Sequence, residues 1–162
     1  MSTIQYRSLS PTESKIYRKI RLESLKAFPE AFSATHEEAL KIEKFGMEND
    51  IEDQVLGRFV FGAFSDQQLI GICTFVKNED YTGSLYQMYV KKEFQGKNIA
   101  YELIHSTINE ARKRFKDIEI FLEVAPDNKR AYHFYKKTNF KEVIKRKTEI
   151  VMQYSQEAQQ KQ

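Results

Sequence analysis

The chain has 162 residues, 41% hydrophobic and 30% charged, with a net charge of +3 from 26 Lys and Arg against 23 Asp and Glu. That length and apolar content suit one domain with a substantial core and exclude an intrinsically disordered chain. One cysteine, Cys73, and three scattered histidines, His36, His105 and His133, exclude a disulfide framework within the chain and leave no metal-ligand spacing.

Ile4 to Leu9 reads as a short strand, and Ser10-Pro11-Thr12-Glu13 as a helix start with Ser as N-cap, Pro at the first helical position and Glu at the third. This helix carries Ile16, Ile20 and Leu25 inward and ends or kinks at Pro29. Glu30 to Lys44 reads as a second helix, and Glu48 to Leu56 as a weaker helical candidate. Arg58 to Phe64 and Gln68 to Val76 flank Ser65-Asp66-Gln67 and predict an antiparallel hairpin. Cys73 lies in that second apolar run and reads as a small core residue.

Gly83 to Val90 is the next strand, with Leu85, Tyr86, Met88, Tyr89 and Val90 apolar on both faces, which predicts a central strand covered on both sides. Asn98 to Phe115 is helical, with Leu103, Ile104, Thr107, Ile108, Ala111 and Phe115 in one stripe. Arg112, Lys113 and Arg114 near its end suit the helix dipole as a solvated face. Asp117 to Val124 is a strand with Ile118, Ile120, Leu122 and Val124 on one face. Pro126-Asp127-Asn128 breaks it and opens a helix through Lys137, and two strands close the fold near Phe140 to Lys145 and Thr148 to Tyr154.

A strand–helix–strand unit amid hairpins implies one parallel pair in a mixed sheet covered by helices. With no linker or repeat, residues 1–154 read as a single domain and residues 155–162 as a polar tail. The N-terminus lacks the apolar stretch of a signal peptide and no run approaches a membrane span, so a cytoplasmic setting without membrane partners is expected. The positive charge is dispersed, and Lys141 to Lys147 reads as an exposed closing hairpin, so no nucleic-acid partner is expected.

Between the strand ending at Val90 and the helix beginning near Asn98 lies Glu93-Phe94-Gln95-Gly96-Lys97-Asn98-Ile99-Ala100. A turn entering a helix there points unpaired N–H groups at the positive end of the dipole, which favours an anion. Gly96, Asn98 and Ala100 are small or tolerant of left-handed dihedrals, and Lys97 adds a charge. Taken alone these residues also fit an ordinary strand-to-helix turn. The turn lacks the spacing of a P-loop or a Rossmann fingerprint.

The run Gln95-Gly96-Lys97-Asn98-Ile99-Ala100 matches the acetyl-CoA loop Gln/Arg-x-x-Gly-x-Gly/Ala of the GCN5-related N-acetyltransferase (GNAT) superfamily, except that Asn98 replaces glycine. A second block, Asn-x-x-Ala-x-x-Phe/Leu-Tyr-x-x-x-Gly-Phe, is met by Asn128, Ala131, Phe134, Tyr135 and Phe140, with Asn139 for the glycine. The stretch from Arg21 to Phe32 resembles the paired N-terminal helices of many bacterial GNAT proteins. Both departures put Asn where a left-handed residue is needed. The resemblance spans nearly the whole chain. It implies an α/β (α+β) fold whose mixed, mostly antiparallel central sheet has about seven strands and is flanked by about four helices.

It also implies transfer of an acetyl group from acetyl-CoA, as co-substrate and without a metal, to a primary amine by direct attack. By that resemblance the N–H groups of Gln95, Gly96, Lys97, Asn98, Ile99 and Ala100, with Tyr101, hold the pyrophosphate. Met88, Tyr89 and Val90 flank the pantetheine arm and thioester, in the gap where the strand of Leu85 to Val90 splays from that of Ile118 to Val124. Asn128, with Ala131 and Phe134 on its helix, meets the pantetheine side, and Lys129 and Arg130 are candidates for the 3′-phosphate. Tyr135 is the general acid, where spacing alone gives a core aromatic. Glu123, twelve positions earlier, is the first candidate base, against a solvated carboxylate sharing a face with Glu119; Gln87 can orient water but not take a proton. Phe28, Phe32, Tyr86 and Tyr89 are candidate linings of the acceptor pocket, with core packing the other reading of each. The acceptor is a small-molecule or peptide amine, and the family often dimerises through closing or edge strands. A non-catalytic module that senses acyl-CoA on the same fold is the alternative.

Overall fold

The structure, a computed structural model, describes residues 3–29, 31–32 and 34–155. Its strands are β1 (Ile4–Ser8), β2 (Arg58–Ser65), β3 (Gln68–Lys77), β4 (Thr82–Val90), β5 (Glu119–Val124), β6 (Phe140–Lys145) and β7 (Ile150–Tyr154). The helices are α1 (Ser14–Ala27), α2 (His36–Leu40), α3 (Gly46–Glu52), α4 (Ile99–Arg114) and α5 (Lys129–Lys137), with 3-10 turns at Pro11–Glu13 and Lys92–Phe94. The strands form one seven-stranded sheet in the order β1-β2-β3-β4-β5-β7-β6. Every neighbouring pair is antiparallel except β4 with β5, the pair that brackets α4.

Each sheet face packs its own core. On one face Leu103, Ile104, Ile108 and Ala111 of α4 bury against Phe59, Ile70, Phe75 and Ile120, so the stripe read from the sequence is the helix's inner face. On the other, Tyr17 and Ile20 of α1 and Met47 and Ile51 of α3 cover Val60, Phe64, Ile72 and Tyr89. Cys73 is fully buried, and burial pushes its thiol up to about 12, as befits a core residue rather than a nucleophile.

Three expectations need correction. Ile16 faces outward at 39% exposed, because the α-helix proper starts at Ser14 and its buried stripe runs through Tyr17, Ile20, Arg21 and Ser24. The helix expected from Glu30 to Lys44 is only the single turn and a half of α2; its start at Glu30 lies outside the described residues. Thr35 caps that helix by accepting from the Glu38 N–H at 3.1 Å. Leu40 and Ile42 beyond stay exposed, leaving no apolar stripe to bury and so nothing to extend the helix. The weaker candidate from Glu48 to Leu56 is a helix, but its bounds shift to Gly46–Glu52 (α3), whose start is held by the Glu48 carboxylate accepting from the Phe45 N–H at 2.7 Å. The polar tail lies outside the described residues beyond Ser155.

β4 is central but not wholly covered. Leu85 is under α4 and Tyr89 under α1, while Tyr86 is 46% exposed between them. Among the described residues no helix is long and apolar enough to cross a membrane.

Candidate active site

The site begins where two parallel strands stop pairing. β4 and β5 are in register only at Thr82–Glu119, Gly83–Ile120 and Ser84–Phe121. From there β5 pairs with β7 on its other edge through Val124, while β4 continues to Val90 alongside β3 only. A bulge sharpens the divergence. β4 carries an extra residue opposite Ile72 to Thr74, and Gln87 takes a positive φ of 57° there.

The Gln87 side chain is fixed on the α1 side of the sheet. Its Oε1 accepts from the Tyr17 hydroxyl at 2.7 Å and from the Thr74 hydroxyl at 3.0 Å. Burial pushes the Tyr17 phenol up to about 12, so it remains a donor. A second tie lies nearby: Glu23 of α1 accepts from the Tyr89 hydroxyl and pairs with Lys91, both at 2.7 Å. Phe28 meets the Tyr89 ring edge-on at 5.9 Å. These contacts draw the end of α1 over the end of β4.

The turn after β4 has the conformation that the sequence asks of it. The Gln95 amide donates to the Val90 carbonyl at 2.9 Å and fastens the turn to the strand. Gly96 and Asn98 follow at φ 79° and 66°, and Asn98 is the left-handed N-cap residue of α4. A Cβ added to Gly96 would have no atom within 4 Å, so the backbone is open to a ligand there. The first bond of α4 runs from the Glu102 N–H to the Asn98 carbonyl at 3.2 Å. The N–H groups of residues 96 to 101 precede it and stand at the positive end of a sixteen-residue helix. That array of donors fits the pyrophosphate of a coenzyme A group.

α5 closes the far wall. Asn128 caps it, its Oδ1 accepting from the Ala131 N–H at 3.2 Å, and Thr138 and Asn139 end it, with Asn139 at φ 75°. Tyr135 packs edge-on against Phe134 and Phe140. Burial, with a smaller contribution from Cys73, raises its phenol well above the usual tyrosine value, so it keeps its proton at neutral pH.

A cavity of about 400 Å³ gathers these parts. Met88, Tyr89 and Val90, the turn residues Gln95, Gly96, Asn98, Ile99, Ala100 and Tyr101, and Asn128, Ala131, Phe134 and Tyr135 all line it. Phe28 and Phe32 line it as well, and Arg130 does where Lys129 does not. Lys97, Glu123, Tyr86 and Gln87, all expected at the site, also stand outside that lining. Lys97 turns its ammonium over the Phe94 ring at 5.5 Å. Glu123 lines a second hollow of about 260 Å³, exposed on the open sheet face with Tyr86, Ser84, Thr82 and Asp80. Sequence reasoning missed Ala31 in the lining, the Tyr17–Gln87 bond and the Glu23–Tyr89 bond. The last two join residues about seventy positions apart, and no local pattern encodes such contacts. Among the described residues no group of three or more His, Cys, Asp or Glu could hold a metal ion.

Comparison with known proteins agrees with this architecture. Residues 18–140 match the pattern of the acetyltransferase (GNAT) family. The fold is similar to the PaiA N-acetyltransferase from Thermoplasma acidophilum, solved in complex with coenzyme A: 25% identical, TM-score 0.78, covering 94% of this chain and 99% of that one. It is also similar to a GNAT-family acetyltransferase from Streptococcus pneumoniae at 15% identity and TM-score 0.74, covering 93% and 97% of the two chains. The yncA protein of Salmonella typhimurium, solved with acetyl-CoA, gives 17% and 0.70 over 94% and 93%. No curated protein matches.

Proposed function

The chain belongs to the acetyltransferase (GNAT) family, and on that premise we propose that it is an acetyl-CoA-dependent N-acetyltransferase acting on a primary amine. The observation that carries this reading is the convergence of Val90, the open N–H groups after Gly96, Asn128 and Tyr135 on one cavity at the point where β4 leaves β5. Bound there, acetyl-CoA supplies an acyl group as an activated thioester that an amine attacks directly.

The chain's own groups have separate tasks. The N–H groups of residues 96 to 101 hold the pyrophosphate, and Arg130 supplies a cation for the 3′-phosphate. Asn128 spends its Oδ1 on the helix cap and has its amide N–H groups left for the pantetheine arm. Backbone at Met88 to Val90, on the edge that β5 has left, offers N–H to the carbonyl oxygen as charge develops on it. One such donor is often worth ~3 kcal/mol. Tyr135 donates its phenol proton to the departing sulfur. Glu123, reached through the second hollow beside Tyr86, takes the amine's proton through water.

The test is release of free thiol from acetyl-CoA across a panel of polyamines, aminoglycosides, amino acids and peptide N-termini. Turnover with any of them supports the reading. Tight acetyl-CoA binding with none would make the protein a sensing module.

A further inference from the structure

β4 changes frame along its length. Leu85, Met88 and Val90 pack in the core under α4, whereas Tyr89 packs in the core under α1. Leu85 and Val90 stand an odd number of positions apart, which a regular strand would place on opposite faces. The bulge supplies the missing step. Between the pairs Ile72–Tyr89 and Thr74–Tyr86, β3 has one residue, Cys73, and β4 has two, Gln87 and Met88. A one-residue slip here would exchange the faces of Met88, Tyr89 and Val90, all of which line the main cavity.

A φ of 57° at Gln87 is costly for any residue but glycine, so the shifted frame has to be held. The side chain holds it. In a regular strand Gln87 would share the face of Leu85, under α4. Instead its Oε1 lies on the α1 face, accepting from the Tyr17 hydroxyl at 2.7 Å and the Thr74 hydroxyl at 3.0 Å. These two donors take both lone pairs of the oxygen. Tyr17 and Thr74 are each 1% exposed, and a hydroxyl so deeply buried loses most when its acceptor is withdrawn. Three elements, α1, β3 and β4, therefore meet at a single oxygen, one residue before the backbone that faces the cavity.

We infer that Tyr17 and Thr74 are positioning residues for acyl transfer: by holding the Gln87 Oε1 they lock the shifted frame that aims the backbone of Met88 to Val90 into the cavity. This rests on the transferase reading above, in which that backbone meets the thioester. Gln87 needs no contact with either substrate. Its task is to accept.

Thiol release with saturating acetyl-CoA is measured for the wild type, Gln87→Glu, Gln87→Met, Tyr17→Phe and Thr74→Val. Glutamate keeps an oxygen for both hydroxyls but lacks the amide N–H groups, whereas methionine keeps the length and loses the acceptor. Gln87→Met should lower kcat by about 10²-fold, the scale of a misplaced backbone donor. Affinity for acetyl-CoA, held by the turn before α4, should stay nearly unchanged. Gln87→Glu should recover most of the rate. Tyr17→Phe and Thr74→Val should each cost less than Gln87→Met and add nothing to it, because they act through the same oxygen. The loss should be equal for strongly and weakly basic amines and leave the pH–rate profile unmoved. A folded Gln87→Met with wild-type kcat overturns the inference. So does a Gln87→Glu as slow as Gln87→Met, which would assign the task to the amide N–H groups. If Gln87→Met does not fold, wild-type kcat in both Tyr17→Phe and Thr74→Val overturns it.

The backbone amide chemical shifts of Met88, Tyr89 and Val90, followed by NMR, give a readout that needs no turnover. Acetyl-CoA should move them beyond the change made by coenzyme A alone in the wild type and Gln87→Glu, and not in Gln87→Met. That pattern in a protein that turns over no amine keeps the positioning network and removes the transferase. Turnover indifferent to Gln87→Met, with the same shifts in every variant, keeps the transferase and removes the positioning role.

Discussion

Ser84 and Phe121 are the last residues at which β4 and β5 lie in register, and everything assigned to the site stands beyond them. Three parallel pairs hold the base of the opening, and a fourth, Leu85 with Leu122, would zip it further. The divergence exists because β5 finds β7 on its other side while the bulge at Gln87 bends β4 away.

The middle pair of that base is the most sensitive point in the sheet. A Cβ at Gly83 would stand 2.3 Å from Phe75 Cε1 and 2.6 Å from Cζ. Phe75 cannot retreat: it is fully buried and stacked between Phe59 at 5.1 Å and Phe115 at 6.2 Å. Gly83→Ala should cost about 1–3 kcal/mol in urea unfolding. Adding Phe75→Leu should cost less than the two single changes summed, because the second makes room for the first.

Asn98 serves as a backbone device, at φ 66° where the family's loop has glycine. Asn98→Gly should therefore change stability by less than about 0.5 kcal/mol, whereas Asn98→Val should cost about 1–2 kcal/mol or more from strain in the left-handed region. Urea unfolding gives both values. Acetyl-CoA affinity, by calorimetry, should fall with Val and hold with Gly, since the same dihedral aims the N–H groups.

The strands, the stripe of α4 and the two positive-φ asparagines were legible because each is a local signal: alternation, 3.6-residue spacing, a small residue at a turn. The segment between α1 and β2 was not. Its two short helices depend on Thr35 and on the Glu48 carboxylate capping backbone, while Leu40 and Ile42 mimic an amphipathic stripe and yet stay in water. The cofactor half of the site was readable from two blocks on one turn and one helix. The acceptor half depends on α1 docking beside β4, through Tyr17–Gln87 and Glu23–Tyr89, and no spacing announces that.

At the opposite end of the fold, Arg7 donates to both oxygens of Glu13 at 2.9 and 2.8 Å, and the Ser10 N–H adds a third bond. Arg7 foremost, with that N–H, holds the Glu13 carboxyl down at about 2 against an ordinary 4.5. The unfolded chain thus binds a proton at Glu13 in a range where the folded chain does not. The bond's contribution is fully present above about pH 4.5 and is lost as pH falls toward 2. Chemical unfolding at pH 7, 4 and 2.5 should show wild type and Glu13→Gln converging as the pH drops.

Tyr135 carries its proton at neutral pH, because burial disfavours the phenolate, and it faces the cavity from α5. Tyr135→Phe keeps the ring that packs on Phe134 and Phe140 and removes only the hydroxyl. Affinity for acetyl-CoA should be retained and kcat should fall by about 10²-fold or more, the usual contribution of a placed general acid. Unchanged turnover would remove Tyr135 from that role.

Glu123 needs a sharper test, because it stands exposed in the second hollow rather than in the cavity. A base is required only for an amine that arrives protonated. Glu123→Gln should therefore lower kcat/KM by about 10²-fold for strongly basic amines. It should leave a weakly basic analogue, already neutral at pH 7, almost untouched. A loss of equal size with both amines would mean that Glu123 shapes the hollow and that the proton leaves through solvent. A loss confined to the basic amine identifies the carboxylate as its destination, and makes the open face between Tyr86 and Glu123 the acceptor's side of the splayed strands.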